Sequence, residues 1–264
     1  MADKSIVSNS KLDALAKSIA EKAGASLPLT VDGMKTAVDG IEPGGGDIDS
    51  LVENKFSGEY AGTVRHVGQY KFQGCGDLTA VKITPKDGSL TIGQYAFAQC
   101  AKLASFEIVG DAEVIVYGYV FQNSSLITNL EIPLFEANYN AFAQIPNLVS
   151  FRGTHHRPAG YTGLPPLQSP FFGCYKLKTV DLDMAMTFGG YQAHWNSAVF
   201  DTLIIRDTEV VATLSVNGLF NNANCFANKT AKIYVPDALV EDYKAATNWV
   251  AYADLIHPLS EYTE

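Results

Sequence analysis

The chain has 264 residues, 47% of them hydrophobic, with mean hydropathy +0.03, enough apolar material for a sizeable core. Its net charge of −9 comes with no run of Lys or Arg, so nucleic acid is not an expected partner. No stretch approaches the roughly 18 consecutive apolar residues of a membrane span, and the N-terminus lacks the apolar core of a signal peptide, so neither membrane insertion nor general secretory export is expected.

Residues 1–42 are expected to form two short amphipathic helices. The first starts at a capping box (Ser10, Asp13), carries Leu12, Leu15, Ala16 and Ile19, and stops at Gly24. The second has Thr30 as N-cap and a stripe of Val31, Met34, Ala37, Val38 and Ile41. Helices this short have little core of their own. They are expected to serve as an attachment or oligomerisation module, with Leu12, Leu15, Ile19, Met34, Val38 and Ile41 as contacts and a homo-oligomer as the result. The pattern LxxLAxxIxxKxGxxxPLTxxxMxxAV resembles an N-terminal segment of tail and other virion proteins of phages that infect gut Firmicutes. That resemblance implies other virion proteins as partners and the phage particle as location. Residues 43–50, rich in Gly, form a linker.

From residue 51 to 235 a repeat takes over. Units written from their Phe begin at Phe72, Phe97, Phe121, Phe142 and Phe171, at steps of 25, 24, 21 and 29 residues. Three residues on stand Cys75, Cys100, Ser124, Ile145 and Cys174, and six on stand Leu78, Leu103, Ile127, Leu148 and Leu177. Nine and eleven on, Val81/Ile83, Phe106/Ile108, Leu130/Ile132, Phe151/Gly153 and Val180/Leu182 enclose one polar residue each, the period of two of a short strand. A degraded sixth copy places Ser197, Phe200, Leu203 and Ile205 in the later columns with His194 in the Phe position, and Phe220 to Val235 offers a seventh. Each unit is expected to be a helical or 3-10 segment followed by a strand of about three residues. Neither half buries its apolar face alone, so the units must stack as a solenoid.

Over residues 67–205 the units, such as AFAQCAKLASFEI and PFFGCYKLKTVDL, resemble the BspA-like (Treponema-type) leucine-rich repeats of bacterial surface proteins. The resemblance implies an α/β solenoid of short strands and short helical or 3-10 segments, and a scaffold for adhesion or ligand binding rather than a reaction. It also puts Cys75, Cys100 and Cys174 in one inward column as small buried thiols; a disulfide between Cys75 and Cys100 is conceivable but unnecessary. The tail, residues 236–264, resembles the segment that closes such arrays. It is expected to be a helical cap starting at Pro236 and Asp237, with Leu239, Tyr243 and Trp249 buried.

No H-E-x-x-H, G-x-S-x-G or phosphate-binding glycine loop is present, and no catalytic residue, metal ligand or cofactor is assigned. The strand carboxylates Glu107, Glu131 and Asp181 alternate with Lys82 and Arg152, the pattern of a solvated mixed-charge face. Two period-breaking loops, GTHHRPAGYTGLPPLQS and DMAMTFGGYQAHWNS, combine aromatic residues with Gly and Gln, which suits rigid stacking surfaces for a sugar or protein. Candidate ligand residues are His155, His156, Tyr161, Tyr191, His194 and Trp195; Phe188 is weighed with them and against packing under its own loop. The leading expectation is a non-enzymatic phage virion component, such as a tail, baseplate or head-fibre adhesin contacting a host-surface glycan or protein. The alternatives are a bacterial leucine-rich-repeat interaction protein with no virion role, and a glycan-active hydrolase using strand-face carboxylates.

Overall fold

The computed structural model describes residues 56–189, 199–215 and 230–263. The chain divides into two units, Met1–Glu53 and Asn54–Glu264, and everything described belongs to the second. The two expected N-terminal helices with their apolar contacts, and the linker, lie outside the described residues. So do His194, Ser197, Phe220 and Cys225.

In chain order the strands are β1 (Ser57–Val64), β2 (His66–Val67), β3 (Asp77–Pro85), β4 (Ser89–Ile92), β5 (Ser105–Ile108), β6 (Glu113–Val116), β7 (Asn129–Ile132), β8 (Leu134–Ala137), β9 (Ser150–Gly153), β10 (Pro166–Gln168), β11 (Thr179–Leu182), β12 (Thr187–Gly189), β13 (Thr202–Ile205), β14 (Thr213–Leu214), β15 (Lys232–Val235) and β16 (Ile256–Pro258). They stack in parallel on two faces. One face holds a three-stranded sheet, β1-β3-β5, and a six-stranded sheet, β16-β15-β13-β11-β9-β7; the other holds a seven-stranded sheet, β14-β12-β10-β8-β6-β4-β2. The result is a β-solenoid of about eight turns.

The columns read from the sequence are the observed register. Val81 pairs with Phe106 and Ile83 with Ile108; Leu130, Phe151, Val180 and Leu203 align in turn. Between them Lys82 faces Glu107, and Glu131, Arg152 and Asp181 align. The degraded sixth copy keeps its place through Leu203 and Ile205, and the KIYV strand follows beside it. Inside, Phe72, Phe97, Phe121, Phe142 and Phe171 are all buried, with Phe72, Phe97 and Phe121 stacked at 5.1 and 5.7 Å between centroids. The small column has a hydrogen-bonding role as well: Cys100 Sγ donates to Phe72 O at 3.0 Å, Ser124 Oγ to Phe97 O at 2.8 Å and Cys174 Sγ to Phe142 O at 3.1 Å. Cys75, Cys100 and Cys174 are free thiols, and burial pushes Cys100 and Cys174 up to about 12, so they pack as inert apolar groups.

Three expectations about local structure are corrected. First, each coil has a second strand, from β2 to β14, that the repeat columns did not include. The corner joining the two faces varies from Pro133 alone to residues 154–165, and this variable length hides the second strand from a fixed period. Second, the Phe-x-x-Cys segment is a turn, neither helical nor 3-10. Its backbone enters the left-handed region two residues before each Phe (Tyr70, Tyr95, Tyr119, Asn140, Ser169) and two after (Gly74, Gln99, Asn123, Gln144, Gly173), with φ between 44° and 76°. Side chains resist this conformation. It is held because the turned N–H groups ladder to the next coil: Gly74 N donates to Ala98 O at 2.8 Å, Gln99 N to Gln122 O at 2.7 Å and Tyr119 N to Asn140 O at 2.7 Å. Third, the tail is not a helical cap. It forms one six-residue helix, α1 (Val240–Ala245), and short 3-10 turns, and then β16, which extends the sheet beside β15. Tyr243 and Trp249 are nonetheless fully buried, and Leu239 packs against the core.

The coils approach so closely that Gly93 has no room for a side chain. A Cβ there would stand 2.6 Å from Gln69 N and 2.8 Å from Gly68 C, both backbone atoms of the preceding coil. Gly93→Ala is therefore expected to destabilise by about 2–3 kcal/mol, read as a lower urea midpoint; an unchanged midpoint would show that the coils separate freely at this point.

Candidate functional site

Three surfaces carry polar or aromatic groups worth testing as a site. The first is the connection 154–165, which lies as a strap along the corner between the two faces. His155 is buried, with Nδ1 3.2 Å from Asp111 Oδ1 and its ring edge-on to Phe135 at 5.7 Å. The Arg157 side chain is only 5% exposed. Its Nε donates to Asp207 Oδ2 at 2.8 Å, and Nη1 donates to Tyr161 O at 3.0 Å and Gly163 O at 2.8 Å. Its Nη2 is also 2.8 Å from Asp207 Oδ2, as an ion-pair contact without hydrogen-bond alignment. Asp207 further accepts from Ala185 N at 2.9 Å and Glu209 N at 3.0 Å. Burial pushes its carboxyl up, but the Arg157 guanidinium and the two backbone N–H groups outweigh this and hold it below the ordinary value.

Of the ligand residues expected in this loop, His155 is committed to the strap, and Tyr161 packs against Phe135 at 5.6 Å with Arg157 over its ring. His156 is exposed, its Nε2 3.9 Å from Asp183 Oδ2. Tyr191, His194 and Trp195 lie outside the described residues. Phe188 is a fully buried residue of β12, edge-on to Trp249 at 5.9 Å.

The second surface is the outer side of the first face, and it is mixed in charge as expected. Lys82 Nζ meets Glu107 at 2.8 Å, and Arg206 grips Asp181 through Nε and Nη2 at 2.8 and 2.9 Å. The hydrogen bonds from Arg206 to Asp181 hold its guanidinium even more firmly protonated than usual. Arg152 reaches both Asp181 and Asp183 at 2.6 Å, although its Nη1 lacks hydrogen-bond alignment to Asp181. Two carboxylates thus converge here, but each is neutralised by a guanidinium. Lys102 holds Asp77 down, and Ser260 holds Asp237 down. With Asp207, all three of these carboxyls are shifted away from the raised value a proton-donating catalytic acid needs. Among the described residues no group of three or more His, Cys, Asp and Glu could hold a metal ion, and no helix is long and apolar enough to cross a membrane.

The third surface was missed in the sequence. Two positions before each core Phe, Tyr70, Tyr95 and Tyr119 stack at 5.4 and 5.2 Å with ring planes within 10° and 6°. Asn140 continues the column, its Nδ2 donating to Tyr119 Oη at 2.8 Å. One position earlier, Gln69 Nε2 donates to Gln94 Oε1 at 3.3 Å. Tyr70, Tyr117 and Tyr139 are exposed by 45 to 49%. Burial against its neighbours, and then the flanking Tyr119 and Tyr70 phenols, push the Tyr95 hydroxyl above its ordinary value. The signal was available, because these tyrosines recur at the same steps of 25 and 24 as the phenylalanines.

Coils of this build, stacked in register around a Phe and Leu core, define a leucine-rich-repeat solenoid, a fold typical of interaction proteins that are not enzymes. The family model for the BspA type leucine rich repeat region matches residues 57–156 in six copies, which supports the BspA-like family for that stretch. The match starts at β1, one coil before the first Phe column, and ends in the strap, while the same columns continue structurally through β16. No curated protein matches the chain.

Proposed function

We propose that this protein is a non-enzymatic recognition protein that presents the tyrosine and amide corner, on a rigid stack of coils, to a macromolecular partner at a cell surface. The observation that carries this reading is the Tyr70-Tyr95-Tyr119 stack kept at the surface, since preordered aromatic edges lose little conformational freedom when a partner binds. The labelled full chain is expected to bind bacterial cells, and Tyr70→Ala with Tyr117→Ala to abolish most of that binding without lowering thermal stability. Unchanged binding by the double variant would move the recognition surface elsewhere.

The finer reading is a phage virion component, attached through residues 1–42 and contacting a host-surface glycan or protein, with many weak contacts multiplied by avidity. The N-terminal pattern favours it. A bacterial interaction protein with no virion role is favoured equally by the repeat match over 57–156. Light scattering of the full chain beside a chain starting at Asp47 separates them. The virion reading predicts a trimer or hexamer that becomes a monomer on truncation; two monomers would leave the bacterial reading.

A further inference from the structure

We propose that the corner carrying Tyr70, Tyr95 and Tyr119 binds a linear, uncharged polysaccharide laid along the solenoid axis, about one sugar ring per coil. This rests on the recognition reading above and names its ligand class. The edge of this corner is uncharged. In four successive coils the three residues before each Ala-Phe, Lys-Phe or Val-Phe pair are only Tyr, Gln, Asn and Gly, on a chain whose first face is lined with ion pairs. These positions themselves carry no charge, and the charged groups beside them are single and of opposite sign, Lys71 next to Tyr70 and Glu136, which accepts from Asn138 Nδ2 at 3.1 Å. Neutral hydroxyls find phenols and amides, which both donate and accept.

The spacing of the coils matches a sugar chain. The ring centroids lie 5.4 and 5.2 Å apart on coils spaced about 4.8 Å by strand pairing, so the polar edge repeats once per coil. A β-linked pyranose chain advances by about one ring length per unit and keeps step with it. An extended peptide places side chains on one face about 6.6 Å apart, twice its rise of about 3.3 Å per residue, and falls out of step within a few coils. A helix, with its pitch of about 5.4 Å, keeps step but docks through an apolar stripe, whereas this edge is hydroxyl and amide.

The side chains of the corner are also held in place before any ligand arrives. The Gln69 to Gln94 bond restrains two side chains that would meet the ligand, and the buried Asn140 holds the Tyr119 hydroxyl from beneath. At Gly118 the amide column is interrupted, since a Cβ there would stand 2.8 Å from Tyr139 O and 3.8 Å from the Gln94 amide. Beside this close approach the exposed Tyr139 ring offers an aromatic surface on which the apolar face of a sugar can rest.

The test is calorimetric titration of the full chain with cellohexaose and chitohexaose, and with the matching disaccharides. A hexaose is expected to bind at least about tenfold more tightly than its disaccharide because several coils engage at once. Tyr70→Ala, at an exposed ring, should weaken hexaose binding by about tenfold with unchanged thermal unfolding. Tyr95→Phe, which keeps the stack and removes one hydroxyl, should weaken it less. No heat from either hexaose at millimolar concentration, or equal affinity in Tyr70→Ala, overturns the proposal. If the hexaoses fail while binding to cells remains sensitive to Tyr70→Ala, the corner recognises a protein partner, and the glycan assignment falls while the recognition reading stands.

Discussion

Phe97→Ala is expected to destabilise the solenoid by about 3–5 kcal/mol, among the largest effects of any single truncation in this chain. The Phe97 ring is fully buried. It is stacked on Phe72 at 5.1 Å and Phe121 at 5.7 Å, and meets Phe106 edge-on at 5.2 Å. Removing it deletes three aromatic contacts and leaves a cavity that the neighbouring coils cannot close, because their backbones are pinned by hydrogen bonds on every side. Each coil touches mainly its neighbours, so the lesion also weakens the coupling between the coils before and after it. Urea unfolding followed by circular dichroism should show a lower midpoint and a shallower or divided transition. Phe97→Leu, which loses the same ring contacts but leaves a smaller cavity, should cost clearly less than Phe97→Ala. A loss below about 1 kcal/mol for Phe97→Ala would mean that the phenylalanine column is not the stabilising spine.

Arg157→Ala is expected to cost a comparable amount, about 3–5 kcal/mol, because it leaves the buried Asp207 carboxylate without its cation. It also removes the donors to Tyr161 O and Gly163 O that hold the strap closed. Asp207→Asn in the same chain should recover part of the loss by removing the buried charge, although Ala185 N and Glu209 N donate to different carboxylate oxygens and the single amide oxygen keeps only one of these bonds. The pH dependence follows from the direction of the Asp207 shift. Its folded pKa lies below the unfolded 3.8, so its stabilisation is complete above that value and is lost as pH falls through the lower folded value. Melting temperatures measured between neutral and strongly acidic pH should drop on the acid side in the parent, and drop less steeply in Asp207→Asn. Equal acid limbs would show that the pair does not anchor the strap.

These two sites also mark what could be read in advance. Phe97 belongs to a column that recurs at steps of 25 and 24 residues, and the strand register then follows from those same steps. Arg157 and Asp207 are 50 residues apart, and His155 and Asp111 are 44 apart. Each of these contacts occurs once, so no period announces it. The histidines and Tyr161 looked like ligand groups because their loop breaks the period, yet the break is a strap that packs His155 and Tyr161 against the corner. Tyr70, Tyr95 and Tyr119 were periodic and still overlooked, because a column two residues before the core Phe has no meaning until the turn is known to swing it outward in the left-handed conformation.

By itself the sequence determined the repeat, the inward columns of Phe, small residue and Leu, and the strand register, because identical units stacked one upon another turn a linear period into a spatial one. Only the tertiary structure decided the second strand of each coil, the left-handed turns, the strap and the tyrosine stack. Those depend on hydrogen bonds and ring contacts between coils, and such contacts form only once neighbouring coils are brought side by side.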